Sequence, residues 1–395
     1  MDVKPLNREK PNKIYLAYLD GLRGLAALYV VLFHIYEECT YKREMPTFVS
    51  NTVKLIAYPQ LPVAVFIVLS GYCLMLPVVH SGGKHVPGGV MTYFRKRVWR
   101  ILPTYYAALL LSLLLLTLAL GIQHFGWFAW DPLSINFRPG AKPGLDSIVS
   151  HFFLLHNLKP HTAAAINGPM WSLATEWQIY FLFPVLLLPV YRRFGIISLL
   201  AISFVIGLGP HYLWPQWPDY SVSPWFVSLF VFGMVAALIN FSKETSLIYY
   251  RKKGFWGLLT VILWMGLIFM FAPQPVPELS RLFAYLVGIS TASLLVYCTL
   301  SATEDSATHR PWIVRLFENH YFVSLGKFSY SLYLTHAVVV VLVHQFLLKL
   351  HMSPILTFLF LIIVAVPLSL LTAHIFYLKF EKPFIPVYKK QLKGT

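Results

Sequence analysis

Ten apolar runs of about twenty residues each, separated by short polar or basic stretches, are what most constrains this 395-residue chain. They lie near 16–36, 58–79, 104–121, 170–190, 195–213, 224–241, 255–272, 281–300, 328–348 and 354–379. A helix needs ~20 apolar residues to cross the hydrocarbon of a bilayer. Only 12% of residues are charged and 57% are hydrophobic, whereas soluble domains carry roughly a quarter charged. The predicted fold is therefore all-α: a polytopic integral membrane bundle of about ten transmembrane helices. Residues 1–14 read as a cytoplasmic arm, 15–388 as the membrane domain and 389–395 as a cytoplasmic tail. No small-residue cleavage site follows the first run, so it is expected to stay as the first helix.

Basic residues set the expected orientation. With the N-terminus in the cytoplasm, 23 Lys and Arg fall inside and 8 outside. The positive-inside rule then places both termini in the cytoplasm of a multi-pass protein of the cell membrane. The formal charge of +16 is spread over short clusters between apolar runs, so nucleic acid is not expected as a partner. Cys39, Cys73 and Cys298 have no pairing or metal spacing. The segment "LDSIVSHFFLLHNL" is predicted to be a short interfacial helix. The loop "WPQWPDYSVSPW" carries aromatic residues suited to the headgroup level.

The first run, "YLDGLRGLAALYVVLFHIY", holds three side chains that hydrocarbon solvates badly: Asp20, Arg23 and His34. Asp20 and Arg23 are spaced to pair as i, i+3. Arg23 and His34 are eleven residues apart, almost three turns. They share one face, about 16 Å apart along the axis. Ionisable groups at such depth face a bundle interior or a water-filled cavity. The competing reading makes Arg23 snorkel and His34 a buried structural residue.

The fourth run opens "GPMWSLATEWQIYFLFP", with Glu176 about two turns down, at a depth comparable to His34. A carboxylate beside a histidine fixes its tautomer and raises its basicity, so Glu176 is the expected partner of His34; a structural ion pair is the alternative. Before the third run, "YFRKRVWRILPTYY" puts Arg97 and Arg100 at i, i+3, a spacing that can present two guanidiniums to one phosphate. Topological charge alone would also explain them. "FIVLSGYCL" contains Ser70 and Gly71, read as a close helix approach, and "SLGKFSYSLYLTH" carries His336 into the membrane, where it is expected to line the same cavity.

Six segments in order, "DGLRGLAALYVVLFH", "FIVLSGY", "FRKRVWRILPTYY", "MWSLATEWQIYFLFP", "GKFSYSLYLTH" and "YLKFEKPF", resemble the acyltransferase-3 family, the membrane O-acetylases of O-antigen, exopolysaccharide, nodulation factor and peptidoglycan. The resemblance implies transfer of an acyl group, usually acetyl, from cytoplasmic acyl-CoA to a hydroxyl across the membrane. It implies His34 as base, Arg23 as its companion, Arg97 and Arg100 as donor contacts and Glu176 at the acidic position. Tyr72, Trp171, Ser172, Tyr180 and His336, with Asp20 and Ser70, are taken as substrate contacts or supports. Acetyl-CoA is the expected co-substrate, a carbohydrate or glycolipid the expected acceptor, and no metal is expected. Some relatives carry a further hydrolase-like domain; here transfer is expected to finish in the membrane domain or on a separate protein. The rival reading is a transporter using Arg, His and Glu as a proton relay, although no internal repeat of the transporter kind is found.

Overall fold

The computed structural model describes residues 15–40, 56–213, 219–271 and 280–385, apart from 59, 84, 133, 135, 305, 307 and 308. The expected arm, the tail, most of the loop after the first run and part of "WPQWPDYSVSPW" lie outside the described residues. Every regular element among the described residues is helical, and all ten predicted runs are represented. The long elements are α1 (Ala17–Thr40), α2 (Gln60–His80) and α3 (Gly89–His124). The short α4 (Leu145–Phe152) follows. Next come α5 (Met170–Leu182) and α6 (Leu188–Leu213), joined by a π turn at Phe183–Leu187. Then come α7 (Phe226–Phe241), α8 (Lys253–Phe271) and α9 (Ser280–Glu304). The short α10 (Trp312–Phe317) and α11 (His320–Lys327) lead into α12 (Ser329–Leu348). Last come α13 (Pro354–Phe360) and α14 (Val366–Phe376), with π turns at Leu361–Ala365 and Tyr377–Glu381.

Among the described residues, seven helices are long and apolar enough to cross a membrane. One of them, Met170–Leu213, holds two of the predicted runs: Gly195 breaks it with φ 80°, a conformation that glycine adopts freely. α7 and α8 supply the two remaining runs as shorter apolar helices. The chain is thus a multi-pass membrane protein. α3 starts well before its apolar run. At 36 residues it is about 54 Å long, so the charged stretch 95–100 continues the same rod beyond its apolar run.

Glycine sets a close seam between α2 and α7. A Cβ on Gly71 would lie 1.9 Å from the Phe230 carbonyl oxygen, and one on Gly233 would lie 1.9 Å from that of Val68. Only hydrogen fits there, which lets the two backbones touch. α4 hangs on α3, because the Tyr105 and Tyr106 hydroxyls donate to the His151 and Phe152 carbonyls, both at 2.8 Å. Its Ser147 and His151 are buried while Leu145, Val149 and Phe152 are exposed. An outward apolar face suits the lipid boundary.

Candidate active site

Arg23, Arg97 and Arg100 come from two helices and line one cavity of about 380 Å³ together with Ser70, Glu176 and Tyr180. Each guanidinium is held differently. Arg23 pairs with Asp20 at 3.2 Å and donates to the Cys73 sulfur at 3.0 Å. Arg100 pairs at 2.9 Å with Glu381, a carboxylate buried to 1% exposure that also accepts from the Ser331 hydroxyl at 2.6 Å. Arg97 lies over the Tyr180 ring, 5.9 Å from its centroid. Its Nε is buried with no hydrogen-bond partner among the described residues. The Ser70 and Tyr180 hydroxyls both donate to the Glu176 carboxylate.

The π turns have local causes. Pro184 within the first and Pro367 just after the second each lack an N–H, which disfavours regular i→i−4 bonding. The third, Tyr377–Glu381, ends on the carboxylate that meets Arg100.

At the other end of α1 stands a second polar cluster. His34 Nδ1 lies 3.0 Å from the Glu37 carboxylate. A carboxylate only accepts, so Nδ1 carries the proton, and in the neutral ring Nε2 then presents a lone pair. The His336 ring centroid is 5.1 Å away. Its Nδ1 donates to the Leu332 carbonyl at 2.9 Å, and its Nε2 is buried without a hydrogen-bond partner among the described residues. His336 is fully buried, whereas the His34 side chain keeps 13% exposure, so His34 is the more reachable ring of the two. Asn136 donates its amide to Glu37 at 2.7 Å, and Glu38, 1% exposed, lies 3.6 Å from His344.

Tyr333 stands between the two clusters. It lines the cavity with Ser172, and its ring is 6.0 Å from His336 and 6.1 Å from Phe66. Its hydroxyl donates to the Pro169 carbonyl at 2.8 Å and accepts from Ser172 at 2.5 Å. The cavity reaches this ring; against expectation, His34 and His336 lie beyond it and do not line the cavity, because the Tyr333 ring stands between.

Three sequence expectations need correction. Glu176 is not the partner of His34. Its helix face, shared with Tyr180 at i+4, turns toward Ser70 and the arginines, and the histidine takes its carboxylate from Glu37 on its own helix. Tyr72 faces away from the cavity, because two residues along a helix rotate it about 200° from Ser70. Its hydroxyl meets Thr299 at 2.6 Å and accepts from Asn240 at 3.0 Å. Trp171 packs on Phe226, with ring centroids 5.9 Å apart, while its neighbour Ser172 takes the cavity side.

Glu37 was legible as an i+3 neighbour of His34. Glu381, Tyr333 and Asn136 join the two clusters only through tertiary contacts. Among the described residues, no three His, Cys, Asp or Glu side chains converge as metal ligands.

The acyltransferase domain model of the acyltransferase-3 family matches residues 16–374. O-acetyltransferase OatA of Staphylococcus aureus strain MRSA252 is 22% identical over an alignment covering all of this chain and 63% of its own length. Peptidoglycan O-acetyltransferase OatA of Listeria monocytogenes is 24% identical over 49% of this chain and 28% of its own. The chain spans 57% of the length of a further Staphylococcus aureus relative, which is 22% identical to it. No solved structure matches. With a family model covering almost the entire helical bundle, this chain belongs to the acyltransferase-3 family.

Proposed function

We propose that the chain is a membrane O-acyltransferase that moves an acyl group, acetyl above all, from cytoplasmic acyl-CoA to a hydroxyl of an extracytoplasmic glycan or related acceptor. The observation that carries this reading is the division of one bundle by Tyr333 into a cavity ringed by guanidiniums and a cluster with a lone-pair histidine. Guanidinium forks suit the phosphates of a nucleotide donor. Arg97 is the most available, since Arg23 and Arg100 already share carboxylates. Arg23 and His34 are about 16 Å apart along α1, comparable to an extended pantetheine arm. The peptidoglycan acetylase among the relatives supports a carbohydrate acceptor.

In this mechanism the thioester reaches the Tyr333 partition from the arginine side. His34 Nε2 takes the acceptor's hydroxyl proton as the oxygen attacks the thioester carbonyl. The tetrahedral intermediate collapses, the carbon–sulfur bond breaks, and the imidazolium returns the proton to the departing thiolate, leaving the ester and free CoA. No covalent acyl-enzyme is required.

The test uses the full chain in liposomes supplied with acetyl-CoA. His34→Ala should cut CoA release at least 100-fold while the protein still elutes as one species. Undiminished release would overturn the proposal, as would uptake of an intact substrate without release of CoA.

A further inference from the structure

We infer that Glu37, held by Asn136, is the positioning carboxylate for His34; this rests on the reading of His34 as the base. An i, i+3 pair on a helix is ordinarily worth only a few tenths of a kcal/mol and does not fix a ring. Here the carboxylate is itself anchored from outside the helix. The same Glu37 oxygen that faces His34 Nδ1 at 3.0 Å accepts from the Asn136 side-chain amide at 2.7 Å.

Asn136 in turn is clamped on three sides. Its backbone N–H donates to Glu38 at 3.3 Å, its side-chain amide also reaches that oxygen at 3.4 Å, and its carbonyl accepts from the Gly168 N–H at 2.7 Å. A Cβ on Gly168 would lie 3.0 Å from the Asn136 Cα, so the two segments are in contact. Glu38 is closed off on its far side by His344 at 3.6 Å. The loop after α3 and Gly168, two residues before α5, thus converge on one asparagine, which fixes one carboxylate oxygen.

That oxygen performs two tasks. It keeps the proton on Nδ1, so Nε2 stays a free lone pair, and it sets the plane of the ring. As Nε2 gains the acceptor's proton, the imidazolium forms beside a fixed negative charge, and stabilisation that grows in the transition state raises kcat rather than substrate binding. Glu37 touches neither donor nor acceptor in this role; it acts through His34.

The experiment measures CoA release by the reconstituted full chain, with acetyl-CoA as donor and N-acetylglucosamine oligomers as acceptor. Glu37→Gln keeps an oxygen for both Nδ1–H and the Asn136 amide but removes the charge. It should lower kcat about 10- to 100-fold with donor KM within about twofold, and Glu37→Asp should recover part of the loss. Added to His34→Ala, Glu37→Gln should cost nothing further. Asn136→Ala should give a smaller fall in kcat with the same unchanged donor KM, and it serves in place of Glu37→Gln should that variant fail to assemble. If Glu37→Gln or its Asn136 substitute keeps wild-type kcat while His34→Ala is inactive, the inference fails and the base reading stands. A loss from Glu37→Gln that adds to that of His34→Ala overturns the inference equally. An active His34→Ala overturns the underlying reading instead.

Discussion

The two polar clusters of this bundle are built on opposite plans. Around the cavity the guanidiniums are incompletely answered. Arg97 lies over an aromatic face and its Nε has no hydrogen-bond partner among the described residues, and Arg100 shares its carboxylate with Ser331. Around His34 the protein supplies its own partners at every step, from the ring to Glu37, to Asn136 and on to Glu38. A site that leaves cationic groups under-satisfied gains by taking up an anion. A site whose dipoles are already fixed needs no reorganisation when charge develops. The contrast is the one the proposed function needs, with recognition at the arginine end and proton transfer at the histidine end.

The sharpest way to break that division is to remove the charges at one end and watch both substrates. Arg97→Ala combined with Arg100→Ala should raise the donor KM about 30- to 100-fold and leave the acceptor KM within about threefold. The opposite pattern in steady-state kinetics would remove the donor from the cavity. As a single change, Arg97→Ala should do more than Arg100→Ala, because Glu381 already shares Arg100.

A smaller effect is expected at the partition. Tyr333→Ala deletes the ring that separates the cavity from His336 and admits water next to the thioester. Acceptor-independent CoA release should rise about three- to tenfold, roughly 1 kcal/mol of lost exclusion. No change would mean that the ring does not divide the clusters.

The smallest effect concerns neither end and so serves as a control. His151 and His156 stack with ring centroids 3.9 Å apart beside α4, both fully buried. Burial pushes them down from 6.5 to about 4 and about 3. Their folded proton affinity is depressed, so the unfolded chain binds more protons below pH 6.5. The stability they allow is complete above that pH and drains away as pH falls through the folded values. Each histidine then costs about 1.4 kcal/mol per pH unit. Thermal unfolding in detergent should fall by a few degrees between pH 7 and 5, and His151→Gln with His156→Gln should flatten that slope without altering donor KM at pH 7.5.

Much of the architecture was legible from the sequence because hydrophobic runs and lipid thickness leave few choices. The Arg23–His34 relation followed from helix periodicity within one element. Counting residues from a helix start gives depth, and depth was all that joined Glu176 to His34. Which way a face turns depends on how neighbouring helices pack, and the glycine seam of Gly71 and Gly233 fixes that for α2 and α7. The facing of α2 removed Tyr72 from the cavity, and packing on Phe226 removed Trp171. The extension of α3 through Arg97 and Arg100 escaped hydropathy because a charged helix outside the hydrocarbon looks like a loop on that scale. Asn136 carries no local mark at all and Glu381 is marked only as part of "YLKFEKPF"; each matters through a residue far away in the chain.

The widened turns of the last helix change how its sequence must be read. A π turn takes in one extra residue, so Leu361–Ala365 and Tyr377–Glu381 each shift the angular position of everything after them by about 100°. A ruler of 3.6 residues laid from Pro354 therefore points to the wrong side chain at the end. Two relatives of equal length, one lacking a bulge, would turn different residues toward Arg100 while their alignment still looked unbroken.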